Sequence, residues 1–202
     1  MKNSILTVFA VAALMSCDKK ETKSTDMGTD SSGTEMTNDT MMKTGDSAST
    51  VTNANAATLS DQDKKFADAA AMGGMMEVMM GDLAKANGTN ASVKSLGEMM
   101  ATDHGKANDE LKSWAATAGY TLPTSLDAEK QKMVDDLKTK KGADFDKMYA
   151  AAMVTDHKKD IAEFKMQSSS GMDASLKGFA SKTLPTLEHH LMESEKVKAS
   201  LK

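Results

Sequence analysis

The sequence predicts an all-α protein, an antiparallel four-helix bundle with a short extra helix in the crossover. Three observations predict this class. Ala and Lys are the commonest of the 202 residues, aromatics make up 4%, and only two residues are Pro; strands would favour Val, Ile, Tyr and Phe. From residue 59 onward, apolar residues recur every three or four positions along four long stretches. Only short turn-forming segments interrupt each pair of stretches, which implies antiparallel neighbours.

The first stretch predicts a helix from about Ser60 to Asn87. Ser60 is the N-cap, with acidic Asp61 and Asp63 in the first turn. Phe66, Ala70, Gly73, Met80 and Ala84 form its stripe. Glu77 falls on the same stripe, and a carboxylate there needs a partner or an edge position in solvent. Gly73-Gly74 weakens a helix by ~1 kcal/mol per residue, so the pair is expected to serve a close helix approach. Asn87-Gly88-Thr89-Asn90 is a turn.

The second helix runs to about Ala118, with Val93, Leu96, Met100, Ala107, Leu111, Trp114 and Ala118 facing inward and Gly119 as its stop. His104 falls on that stripe. After a loop containing Pro123, a shorter helix is predicted over Leu126–Lys140, with Met133 and Leu137 as its contacts and Gly142 closing it. The next long helix spans about Asp144 to Gln167 on a stripe of Tyr149, Met153, Ile161 and Phe164, and His157 lies on it. Ser168 to Gly171 break the pattern. The last helix begins at Asp173 as N-cap. Leu176, Phe179, Thr183, Leu187, Leu191 and Val197 set its face. His190 is on that face, His189 points about 100° away, and Pro185 is expected to kink or divide the helix.

The N-terminal part has a different character. Lys2 precedes an apolar run from Ile5 to Leu14, too short to span a bilayer. It ends in Leu14-Met15-Ser16-Cys17, which resembles a bacterial lipobox. Residues 1–16 are therefore expected to be a lipoprotein signal peptide and Cys17 the lipidated residue. Cys17 is the only cysteine, so no disulfide forms within the chain. Lipid on Cys17 would make the membrane a partner, at ~0.8 kcal/mol per buried methylene. Residues 17–58 read as a lipidated cysteine with a disordered tether: residues 18–58 have no aromatic residue and are rich in Ser, Thr, Asp, Gly and Asn. Such a tether reaches roughly 35 Å as a random coil and holds the bundle domain, residues 59–202, clear of the lipid. The net charge of −4 implies no particular partner. All the basic residues are Lys; without Arg the usual bidentate reader of phosphate and base edges is missing, so nucleic acid is not expected as a partner. Protein partners are not identifiable from the sequence.

Two segments repeat the pattern Met-x-Thr-Asp-His: Met100 to His104 and Met153 to His157. Together with Glu77 and His190 they supply one inward ionisable residue from each long helix. Three imidazoles and a carboxylate suit one transition-metal ion such as Zn, Fe or Cu. Asp103 and Asp156 are candidates to orient a histidine of a neighbouring helix, and Met100 and Met153 to add thioether contacts. Counted from the turns, His104 and His157 lie at similar heights, with Glu77 lower and His190 higher by up to ~12 Å between the two. His104 with His157 is thus the core of the candidate site. The competing reading is that each histidine is packed and satisfied by an Asp or a carbonyl. The chain is then a structural or interaction module of the envelope. A metal-dependent redox enzyme is a third reading, but no nucleophile-base pair or phosphate loop accompanies it, and no catalytic residue is assigned.

Phe66, Glu77, Asp103-His104, Gly142 with Phe145-Asp146 and Tyr149, Asp156-His157, Leu184-Pro185 and His190-Leu191 together resemble the bacterial envelope family called domain of unknown function 4142. The resemblance covers about residues 60–200. It implies a ferritin-like four-helix fold and brings no established activity. Members are often labelled predicted outer membrane proteins, so the resemblance favours the outer membrane over the inner one. Di-iron carboxylate bundles carry Glu three residues before the ligand His. Here those positions hold Ala101, Val154 and Leu187, and a ferritin-type di-iron centre is not expected.

Overall fold

The computed structural model describes residues 59–201. Cys17, the apolar run before it and the expected tether lie outside the described residues. Among these residues there are five helices and no strand: α1 (Asp61–Asn87), α2 (Ala91–Ala118), α3 (Ala128–Thr139), α4 (Gly142–Ser170) and α5 (Ala174–Ser200). No described helix is long and apolar enough to cross a membrane.

Local chemistry sets the helix ends. Ser60, Asn90, Asp127 and Asp173 each accept a hydrogen bond from a backbone N–H in the first turn of the helix that follows. Gly119 ends α2 in the left-handed conformation, φ 64°, which glycine adopts without a Cβ penalty. Gly142 also has positive φ, 57°, but it opens α4 instead of closing α3, which ends earlier at Thr139. Pro185 lies inside α5 without dividing it.

α1 packs along α2 and α4 along α5, and the two hairpins meet through α1 with α4 and α2 with α5. The backbones of α1 and α2 approach most closely at Gly81 and Gly97. A Cβ on Gly97 would stand 2.7 Å from the Gly81 carbonyl oxygen. Gly73-Gly74 has another use: Gly74 makes room for the Asn108 side chain, and Gly73 faces the Asp160 carboxylate.

The interior divides into two apolar clusters. One, toward the α1–α2 turn, gathers Met76, Met80, Leu96, Met100, Phe145, Tyr149 and Met153, with Val134 and Leu137 of α3. Val134 thus takes the inward place expected of Met133, which is only partly buried. The other, toward the α4–α5 turn, gathers Phe66, Leu111, Ile161, Phe164, Leu176, Phe179 and Leu187. Each large side chain sealed in this way contributes about 1.5–3 kcal/mol. On α2 and α4 an imidazole, His104 or His157, lies between the two clusters; His190 of α5 lies near the boundary, and Glu77 of α1 lies beside Met76 at the edge of the first.

Two buried aspartates fasten the ends. Asp63 of α1 accepts hydrogen bonds from the backbone N–H of Met172 and Asp173 in the α4–α5 turn, and from Gln167 Nε2 at 2.6 Å. Asp146 of α4 accepts from the backbone N–H of Thr89 and Asn90 in the α1–α2 turn, and from the Thr89 hydroxyl. Each hairpin thus holds the turn of the other.

Candidate metal centre

Glu77, His104, His157 and His190 are all buried, and they meet in one layer between the apolar clusters. Glu77 Oε2 lies 2.8 Å from His104 Nδ1, and Glu77 Oε1 lies 3.3 Å from His157 Nδ1. His157 Nε2 lies 3.2 Å from His190 Nδ1, and His190 Nε2 lies 3.2 Å from Asp103 Oδ2. One ring nitrogen from each of His104, His157 and His190 lies within 4.8 Å of the other two.

This corrects the expectation that Glu77 and His190 sit at different heights. Side chains on a helix tilt toward its N-terminus. Glu77 stands nearer the α1–α2 turn than His104 but tilts away from it, while His104 tilts back toward it. The same opposed tilts bring His157 and His190 together from the α4–α5 turn. Counting Cα positions misses this convergence.

The hydrogen-bond partners fix the tautomers. The Met153 carbonyl can only accept, so His157 Nδ1, 3.0 Å away, carries a proton. The Asp103 carboxylate, held below the usual range by its bonds to His190 and Lys106 against the upward push of burial, makes His190 Nε2 the protonated nitrogen. Burial lowers all three histidines, to about 4 for His104, about 3 for His157 and about 4 for His190. The rings are therefore neutral at pH 7. His157 Nε2 and His190 Nδ1 then face each other, lone pair against lone pair, at 3.2 Å. His104 Nε2 is a third buried nitrogen, and it has no hydrogen-bond partner.

Among the described residues, the buried side-chain polar atoms lacking a hydrogen bond belong to four residues: both Glu77 oxygens, His104 Nε2, the Tyr149 hydroxyl and Asp156 Oδ2. Glu77 is close to two histidines, but the contacts are poorly directed and do not count as hydrogen bonds. Burial, then the charge of Asp156, raises Glu77 well above the ordinary carboxylate value. Burial also raises Asp156. Tyr149 is raised by burial and then by the charge of Glu77. A buried group without a partner costs about 1–3 kcal/mol.

The remaining predicted residues fall into place around this layer. Asp103 orients His190 from a neighbouring helix. Asp156 turns to Glu77 and Asp160, whose carboxylate oxygens lie with its own within 4.8 Å of one another. Met100 and Met153 are fully buried in the first apolar cluster; Met153 adds its carbonyl to the site. His189 is exposed. Sequence reasoning missed Asp160 and the Tyr149 hydroxyl. Asp160 follows Asp156 by one helical turn, a spacing that would have marked it. Tyr149 carried no such mark, because it fits the apolar stripe.

Comparison with known proteins gives three findings. The crystal structure of a DUF305 fragment from Deinococcus radiodurans is similar to this fold, with a TM-score of 0.61 at 13% identity, covering 71% of this chain and 99% of that one. At that identity the likeness is one of fold alone. No curated protein matches the sequence. The family described as "Domain of unknown function (DUF4142)" matches residues 48–197, and the chain belongs to that family.

Proposed function

We propose that this protein is a non-enzymatic, lipid-anchored envelope protein whose helical bundle binds one transition-metal ion through His104, His157 and His190, with Glu77 beside them. The observation that carries the reading is the pair of facing lone pairs on His157 and His190. Two nitrogens bound at ~2.0–2.1 Å in a tetrahedral arrangement stand about 3.3–3.4 Å apart. A cation between them turns a repulsive contact into two bonds, and His104 Nε2 is a third unengaged donor. The outer nitrogens of His157 and His190 already have acceptors, which is how ligand histidines are usually held.

Three neutral imidazoles and a carboxylate suit Zn, Fe or Cu. The four long helices are taken as an antiparallel ferritin-like bundle. The ferritin di-iron chemistry is not part of the proposal, since Ala101, Val154 and Leu187 stand where the Glu-x-x-His pattern needs acids. The lipid on Cys17 and the outer membrane follow from the lipobox-like Leu14-Met15-Ser16-Cys17 and from the family resemblance. Metal content after equilibrium dialysis of purified full-length protein tests the metal reading. About one ion per chain is expected in the wild type and a clear loss in His104→Ala and His157→Ala. Equal, near-zero content in all three would sink it.

A further inference from the structure

The carboxylates of Glu77, Asp156 and Asp160 form a second cluster, which shares only Glu77 with the histidine site. One oxygen from each lies within 4.8 Å of the other two. Glu77 is completely buried, and Asp156 and Asp160 are partly so. Three carboxyls at this spacing cannot all stay charged: burial raises all three, and they hold protons unless a cation takes the protons' place. Among the described residues no lysine forms an ion pair with any of the three: Lys130 pairs with Asp127, and Lys159 with Glu163. Asp156 Oδ2 and both Glu77 oxygens have no hydrogen-bond partner.

A second feature points to an occupant. A small cavity of about 20 Å³ is lined by Glu77, Asp160, His104 and Gly74 among others. A space of ~10–15 Å³ or more on this measure holds one water-sized species. Glu77, fully buried and with no donor bonded to either oxygen, forms part of its wall. Gly73 of α1 lies in ordinary contact range of the Asp160 carboxylate.

We propose that Glu77, Asp156 and Asp160 hold a second divalent cation beside the histidine-bound one, with Glu77 shared between the two. The inference rests on the histidine site binding metal. Its two halves differ in chemistry. The histidine side offers nitrogen donors to an ion such as zinc, and the carboxylate side offers only oxygen, which suits a harder ion such as manganese. Glu77 has two oxygens, one toward each of His104 and His157, and the carboxylates of Asp156 and Asp160 lie close by.

The test uses full-length protein loaded with one equivalent of zinc and freed of excess. Manganese(II) is then titrated in, and free manganese is read by electron paramagnetic resonance. The expected result is one manganese bound per chain with zinc retained. In Asp156→Asn/Asp160→Asn, zinc stays at one per chain while manganese affinity falls at least a hundredfold. In Glu77→Gln, both ions weaken. Wild-type protein that keeps its zinc and binds no manganese overturns the second site and leaves the histidine site standing, whether or not the variants fold. A double variant that binds manganese as tightly as wild type overturns the second site as well. Protein that retains no zinc overturns both readings.

Discussion

Asp63 and Glu77 lie on the same helix, both fully buried, and they are opposite cases. Asp63 accepts from Ser60, Gln167 and two turn N–H groups, and these bonds outweigh burial and bring its carboxyl below the ordinary value. Glu77 has no N–H or hydroxyl donor bonded to it, and burial, the Asp156 charge and the adjoining Asp156 carboxyl raise it well above that value. The same side-chain chemistry at the same burial therefore serves two purposes. A carboxylate whose lone pairs are all engaged within the protein is a fastener. One without such donors, beside three buried imidazoles, has the composition of a ligand-binding site.

The contrast makes graded predictions. Asp63→Asn replaces one accepting oxygen with an NH2 group, so either Met172 N–H with Gln167 or Asp173 N–H with Ser60 loses its acceptor, and unfolding free energy in urea should fall by about 2–4 kcal/mol. The same variant should flatten the acid limb of the stability curve. Because the folded value of Asp63 is depressed, its contribution is present above the unfolded value and is lost as pH falls through the folded one. Saturating metal-free protein with zinc at a hundred times its dissociation constant should add ~2.7 kcal/mol of stability, read as a rise in Tm. That gain should shrink in Glu77→Gln while persisting in Asp63→Asn measured against its own metal-free form.

Asp103→Asn should weaken zinc affinity roughly 10–100-fold by loosening His190. Calorimetric titration checks this, and an unchanged affinity would mean His190 does not depend on its partner. The smallest effect is expected from Glu77→Gln without metal, a change of less than about 1 kcal/mol, since no hydrogen bond is lost. The variant should also reduce the pH dependence of zinc affinity. Glu77 carries a raised value, so wild-type zinc binding must displace its proton and weakens as pH falls through that value. The histidines add competition only nearer pH 4.

Much of this architecture is legible in the residues themselves. Helical spacing and the caps at Ser60 and Asp173 locate the long helices, because those signals act within one turn of chain. Glu77, His104, His157 and His190 stand out for the same reason, as polar residues on apolar stripes. Their meeting in one layer is not legible from spacing, because side-chain tilt in helices of opposite direction offsets the difference in height. Asp63 reads as an ordinary first-turn acid; its task depends on Gln167 and the α4–α5 turn, more than a hundred positions away. Asp160 follows two lysines, and only its one-turn spacing from Asp156 marks it; that its carboxylate meets Glu77 depends on another helix.

The central claim is that three imidazole rings converge on one ion. Zinc K-edge absorption fine structure of full-length protein loaded with one equivalent of zinc tests it most directly. The predicted spectrum has nitrogen and oxygen neighbours at ~2.0–2.1 Å, with outer-shell scattering from three imidazoles. A zinc surrounded by oxygen alone, or by a single imidazole, would contradict the account.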